Sequence, residues 1–302
     1  MHTDGRVYLN DVEKLALGFH IKHGPLNPTQ AQAEAMLQRL SSDGIRFMVF
    51  NFAHWETDAQ VLYDLDFWMP LLYKYKMWVF LQVQHLDPEP PILDVAYELP
   101  RQQLVIDRIC QNPSWANMVY AATVGWELDI WYNNAQVTTY LQAMVSAVKT
   151  LLRNSLIGNV PILNKPCGMW GYDTDHGIVP LGTYADLPGL DYYGQVTAAG
   201  SGQFADPTQY CMDVFYNTYL LLCNKVGCRA WPTEFNISNY GYGDELTPNL
   251  FTQFMNGMGH GKCGSLMIWL MWTWQTDGMA AFNTDGTPKQ WYLTLSPSFR
   301  SA

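Results

Sequence analysis

The stretch at residues 45–83, IRFMVFNFAHWETDAQVLYDLDFWMPLLYKYKMWVFLQV, decides the architecture. Residues 45–52 form a short apolar run of strand length, and residues 59–75 carry apolar side chains at helical spacing. Residues 77–83 form a second apolar run. A strand, a helix and another strand in this order read as two parallel strands joined by a crossover.

The same unit repeats on either side. Upstream, residues 15–21 read as a strand and 29–42 as a helix, with Pro28 just before it and Gly44 just after. Downstream, a third helix is expected at 100–111, a fourth strand at 118–124 and a fourth helix at 138–153. A short fifth strand at 160–163 and a weaker sixth at 189–194 follow, with no helical period across 168–188. A helix at 207–226, a seventh strand at 228–233, a helix at 248–258 and an eighth strand at 265–270 complete the pattern. Eight alternating units in 302 residues predict an α/β chain folded as a single-domain (β/α)8 TIM barrel spanning 1–302. A doubly wound sheet is the alternative, but no glycine-rich phosphate loop follows the first strand; Gly18-Phe19-His20 is not one.

Composition narrows the function. Charged residues make up only 15%, well below the roughly 25% of an average globular protein. Aromatics reach 14%, with 12 Trp and 18 Tyr, an excess that suits flat apolar ligand surfaces. A net charge of -10 argues against a nucleic-acid partner, which needs a basic footprint. No apolar stretch is long enough for a membrane helix. The six cysteines form no C-x-x-C pair, so buried thiols are expected, with a Cys228–Cys263 disulfide as the alternative if the runs behind them are neighbouring strands.

In a TIM barrel the chemistry sits at the C-terminal strand ends. Strand four leads into Gly125-Trp126-Glu127-Leu128-Asp129, and strand seven into Trp231-Pro232-Thr233-Glu234-Phe235-Asn236. Glu127 and Glu234 stand 107 positions apart, a span that fits three βα units and so the fourth and seventh strands. Both acids are expected directly after their strands, facing each other across the barrel mouth. Paired carboxylates roughly 5–5.5 Å apart are what retaining glycoside hydrolysis requires, one protonated as acid/base and one ionised as nucleophile. Mutual repulsion and burial would raise the pKa of one of them.

These segments resemble those of the clan A glycoside hydrolases, TIM barrels with catalytic acids on strands four and seven. Thr233-Glu234-Phe235-Asn236 is similar to the nucleophile segment of the cellulase and mannanase families. Ile268-Trp269-Leu270-Met271-Trp272 resembles their tryptophan-bearing last strand, and Asp285-Gly286-Thr287-Pro288 the turn after it. The resemblance implies Glu127 as acid/base and Glu234 as nucleophile. It also implies substrate contacts from His85 past strand three, Tyr192 or Tyr193 on strand six, and Trp269 or Trp272 under the cleaved sugar. One departure stands out: Trp126 occupies the place where most members carry an Asn that bonds the sugar 2-hydroxyl. Asp129, two positions on, is the rival acid.

Further candidates for a sugar-lined cleft are Asn51 and His54 at strand two, Asn164 and Lys165 at strand five, and loop aromatics Trp55, Trp131, Trp170, Tyr172, Tyr240 and Tyr242. Metal binding is disfavoured: His20 and His23 lack accompanying carboxylates, and Asp173, Asp175 and His176 lack the glycine and terminal Glu of a calcium loop. No cofactor is implied. The expected activity is hydrolysis with retention, endo in mode given the aromatic loops, on a β-linked mannan or glucan. The alternatives are a non-catalytic carbohydrate-binding barrel and a transglycosylase using the same residues. The expected partner is a carbohydrate, with no nucleic acid or membrane, and the oligomeric state is open. Substrate logic places the protein outside the cell, although residues 1–10 are polar and carry no apolar signal region, so a trimmed mature form or a cytoplasmic protein are the two readings.

Overall fold

The structure is a computed structural model; it describes residues 7–9, 12–22, 28–51, 56–82, 92–126, 128, 131–165, 185–195, 231–238, 245–256, 263, 265–270 and 278–299. A short antiparallel hairpin, β1 (Val7–Leu9) and β2 (Val12–Lys14), precedes the main sheet where no strand was expected. Eight parallel strands follow: β3 (Ala16–Lys22), β4 (Phe47–Asn51), β5 (Trp78–Gln82), β6 (Val119–Trp126), β7 (Ile162–Lys165), β8 (Leu187–Gln195), β9 (Trp231–Ser238) and β10 (Ser265–Trp269). They are hydrogen-bonded in the order β10-β3-β4-β5-β6-β7-β8-β9, and the terminal strands β9 and β10 lie side by side. The chain has the predicted (β/α)8 barrel architecture.

Side-chain alternation divides this sheet into two faces. One buried residue from each strand meets the others in a single inner cluster: Ala16, Val49, Phe80, Ala121, Leu163, Leu187, Trp231 and Met267. All eight strands reach this cluster, so the sheet curls around it. Small Ala16 and Ala121 leave room for Phe80 and Trp231, whose ring centroids are 5.3 Å apart. The opposite face packs against the helices. On β3, for example, Leu17, Phe19 and Ile21 belong to the large outer core.

The outer helices are α1 (Gln30–Ser42), α2 (Asp58–Lys74), α3 (Val95–Cys110), the single-turn α4 (Pro113–Ala116), α5 (Asn134–Arg153), α6 (Pro248–Phe254) and α7 (Gln290–Phe299). Three of them start with reciprocal caps. Thr29 N–H donates to Gln32 Oε1 at 2.8 Å while Gln32 N–H donates back to Thr29 Oγ1 at 3.3 Å. Thr57 with Gln60, and Asn133 with Gln136, repeat the motif, which satisfies backbone donors that a helix start leaves without partners. The third helix was expected to begin at Pro100, but Pro100 lies inside α3, which starts at Val95 behind an Asp94 cap. Asp94 Oδ1 accepts from Ala96 N–H at 2.9 Å, so the helix start is set by this cap, one turn ahead of the proline. Likewise α5 begins at Asn134, earlier than the expected 138, because Asn133 caps it. The helix expected at 207–226 lies outside the described residues.

The last helix closes the molecule on the first. Tyr292 on α7 is fully buried, and its hydroxyl donates to Asp43 Oδ2 at 2.8 Å just beyond α1. Arg39 Nε donates to the same oxygen at 2.6 Å, and this charged bond raises the Arg39 pKa. Before α7, the Asp-Gly-Thr-Pro segment forms a tight turn in which Gly286 takes φ 82°. There Thr287 N–H and hydroxyl both donate to Asp285 Oδ1, which holds that exposed carboxyl below its usual range. Cys110 is a free thiol and Cys263 is buried, whereas Cys228 lies outside the described residues. No described helix is long and apolar enough to cross a membrane.

Candidate active site

A polar level sits on the C-terminal side of the apolar inner cluster. It begins with the phase of each strand. On β3, Ala16 faces inward, so His20, four positions on, shares its face; His20 is fully buried. On β5, Gln82 shares the face of Phe80, and on β6 Thr123 shares that of Ala121. On β8, Asp191 shares the phase of Leu187 and is also fully buried.

β9 reaches this level through a bulge. Leu190 pairs with Pro232 and Asp191 with Glu234, so Thr233 is an extra residue on β9. That single insertion inverts the phase of the strand. Trp231 faces the inner cluster, but beyond the bulge it is Phe235 and Ile237 that pack outward on the helices. Glu234, Asn236 and Ser238 are thereby turned inward, and all three are buried. Without the bulge, the phase of Trp231 would carry Glu234 to the helix side.

Glu234 was expected just past its strand. It lies within β9 instead, because the strand runs on to Ser238. Four further residues add about 13 Å of strand at the usual rise, so Asn236 and Ser238 stand above the carboxylate as a wall. Glu234 is recessed and only 2% exposed. His20 Nε2 stands 3.5 Å from Glu234 Oε1. Beside it, Thr233 Oγ1 donates to Asp191 Oδ1 at 3.3 Å. An imidazole and two carboxyl groups from three strands are therefore gathered in a dehydrated interior, where charge interactions are much stronger than in water.

The other face of the expected site starts from β6. A second bulge falls at Gly125, since Val124 pairs with Asn164 and Trp126 with Lys165. Gly125 has φ 84°, a conformation that side chains other than glycine's rarely adopt. Glu127 follows two positions later and lies outside the described residues, as do Asp129, His85, Trp170 and Trp272. The backbones of Trp126, Tyr192, Tyr193, Trp269 and Asn51 are placed on strand ends at the barrel mouth. Trp269 is the register partner of His20, and Tyr192 and Tyr193 pair with Phe235 and Asn236. Asn164 and Lys165 belong to β7 itself and do not follow it, and Asn164 is buried. Of the loop aromatics, Trp131 is half-exposed beyond β6, while Trp55, Trp170, Tyr172, Tyr240 and Tyr242 lie outside the described residues, as do His54, His23, Asp173, Asp175 and His176.

His20, Gln82, Thr123 and Asp191 were not anticipated as site residues. For His20 a signal existed: Leu17, Phe19 and Ile21 alternate with Gly18 and His20, which marks the histidine as the odd residue of an inward face. For Asp191 it was a lone acid in an apolar strand.

No family model matches the chain, and no curated protein does. Solved structures do. A GH5_18 variant from Bifidobacterium longum subsp. longum, in complex with Manβ1-4GlcNAc, superposes with a TM-score of 0.68 at 12% identity, over 96% of this chain and 79% of that one. The endo-β-1,4-mannanase of Rhizomucor miehei matches with a TM-score of 0.64 at 7% identity, over 98% and 96% of the two chains. Saccharomyces cerevisiae Gas2p in complex with laminaripentaose matches with a TM-score of 0.62 at 12% identity, over 96% of this chain but 65% of that one. The chain has the (β/α)8 barrel fold that these structures share.

Proposed function

We propose that this protein is a retaining glycoside hydrolase acting on a β-linked polysaccharide, with Glu234 as nucleophile and Glu127 as acid/base. One observation carries the proposal. The bulge at Thr233 turns Glu234 into the barrel interior, above an apolar floor, where a carboxyl group has a high desolvation cost and no evident packing role. The residue occupies the seventh barrel strand, and β6, which leads to Glu127, is the fourth.

In this reading Glu127 protonates the glycosidic oxygen as Glu234 attacks the anomeric carbon. A glycosyl ester forms on Glu234 and the leaving sugar departs with the proton. Glu127 then takes a proton from water, which attacks the same carbon and releases the sugar with its original configuration. The mannan- and laminarin-type ligands and activities of the structural neighbours suggest β-mannans and β-glucans as the first substrates to test; fold alone does not choose between them.

The test is reducing-end release from mannans, β-1,3- and β-1,4-glucans, xylans and galactans. Glu234→Gln and Glu127→Gln should each lose nearly all turnover, and NMR of the first product should show a retained anomer. A fully active Glu234→Gln variant, or an inverted product, refutes the assignment. Saturable sugar binding without bond cleavage on any substrate would support a lectin-like barrel. Longer products at high substrate concentration would identify transglycosylation.

A further inference from the structure

We infer that the groove between the first turns of α3 and α5 is an accessory binding site for a neutral sugar residue of the polysaccharide, separate from the barrel mouth; this rests on the proposed substrate class. The groove has a volume of about 630 Å3, within the roughly 300–1,000 Å3 of small-molecule sites. Its origin lies in the sequence. Ala135, Thr139 and Ala143 recur at every fourth position of α5 and so share one face. None of them is large enough to fill the space beside Leu93 and Val95, where α3 begins.

The lining is amphiphilic, as a sugar ring is. Leu93, Val95, Ala135 and Ala143 offer aliphatic surface to the C–H faces of a sugar. Asp94, Gln136, Thr139 and Tyr140 offer donors and acceptors to its hydroxyls. Tyr140 is only 4% exposed, and its hydroxyl has no hydrogen-bond partner among the described residues. Burial raises its pKa, and the nearby Glu98 and Asp94 carboxyls raise it further, so the phenol stays protonated and able to donate. A buried donor without an acceptor is unfavourable, and a ligand hydroxyl supplies the acceptor. Asp94 uses Oδ1 to cap α3, which leaves Oδ2 to accept from a second hydroxyl. No Lys or Arg lines the groove, and Asp94 and Glu98 would repel an anionic ligand.

The groove opens on the mouth side of the barrel. α3 follows β5 and α5 follows β6, so both helices start where the strands end. Ala135 is eight residues after Glu127, at most about 26–29 Å of extended chain. The connecting segment is folded tighter than that, since Trp131 and Tyr132 N–H both donate to the Leu128 carbonyl, at 3.1 and 3.0 Å. It also carries the half-exposed Trp131. A polymer held in the cleft can therefore rest a distal residue in the groove, and two-point attachment strengthens its hold through effective concentration.

The test is methyl NMR of the full-length protein with labelled alanine, the groove signals being identified by their loss in Ala135→Ser and Ala143→Ser. The probes are hexasaccharides of β-1,4-mannan, β-1,4-glucan and β-1,3-glucan, added to Glu127→Gln protein so that they stay whole, and the matching disaccharides added to native protein. At least one series should shift both methyls saturably. Tyr140→Phe should weaken that binding by about two- to ten-fold without lowering the urea midpoint of the free protein. A tyrosine serving the fold alone would lose stability and leave sugar affinity unchanged. Thr139→Arg, which fills the groove from an exposed position, should abolish the shifts. Methyls unmoved by every sugar, shifts that do not saturate or that survive Thr139→Arg, or a response to calcium chloride alone overturn the inference. The titration needs no bond cleavage, so it fails separately from the glycosidase proposal, which fails instead if the native protein releases no sugar.

Discussion

Replacing Gly125 with alanine tests the β6 bulge most directly. Two costs are readable from the structure. The backbone at 125 has φ 84°, where a Cβ is crowded by its own carbonyl, a penalty of about 1–2 kcal/mol. The added methyl would also lie 2.3 Å from Leu141 Cδ2, on a helix α5 residue only 2% exposed. Forcing a carbon into a packed core costs about 1–3 kcal/mol. Gly125→Ala should therefore lose about 2–5 kcal/mol in urea unfolding followed by tryptophan fluorescence. The two terms can be separated. In a Leu141→Ala background the clash is relieved, so the same substitution should cost only the backbone term of about 1–2 kcal/mol. Leu141→Ala alone should cost about 2–5 kcal/mol through its cavity. A Gly125→Ala variant within about 0.5 kcal/mol of the native protein, or an undiminished cost in the Leu141→Ala background, refutes the reasoning.

Three other outcomes are expected. Tyr292→Phe removes a buried hydrogen bond to a charged acceptor and should cost about 1.5–3 kcal/mol by the same urea assay. Burial pushes the Tyr120 phenol up to about 12, and also raises Tyr140 and Tyr292. The unfolded chain releases those protons near pH 10 while the folded one retains them, so stability should fall as pH rises above about 10, by up to about 1.4 kcal/mol per pH unit per phenol, and Tyr292→Phe should flatten the slope measured in urea titrations between pH 9 and 12. Trp231→Ala would empty the inner cluster beside Phe80 and Tyr120 and should cost about 3–5 kcal/mol, seen as a lower urea midpoint.

The eight-strand order was legible because parallel barrel strands are apolar on both faces and read as short runs between helical periods. Helix starts were less so: the caps at Asp94 and Asn133 are local polar signals that the apolar period alone overlooks. β9 was placed correctly but cut short at Thr233, since its C-terminal half alternates Phe235 and Ile237 with polar Glu234, Asn236 and Ser238. That half lines the barrel mouth, where polar residues are buried. The bulge that aims Glu234 has no sequence signature of its own, because Thr233 is an ordinary strand residue and the register mismatch exists only between two strands. The bulge at Gly125 had at least a glycine to mark it. His20 was weighed only as a metal ligand, since its proximity to Glu234 depends on β3 and β9 meeting across β10.

The bond between Tyr292 and Asp43 links positions 249 residues apart. At a synthesis rate of about 5–20 residues per second, the first helix waits about 12–50 s on the ribosome for its partner. Its apolar stripe of Ala33, Met36, Leu37 and Leu40 is made long before the C-terminal helix emerges. Docking of the last helix on the first therefore comes long after the first is made, and a nascent chain stalled before residue 290 offers chaperones an open first helix.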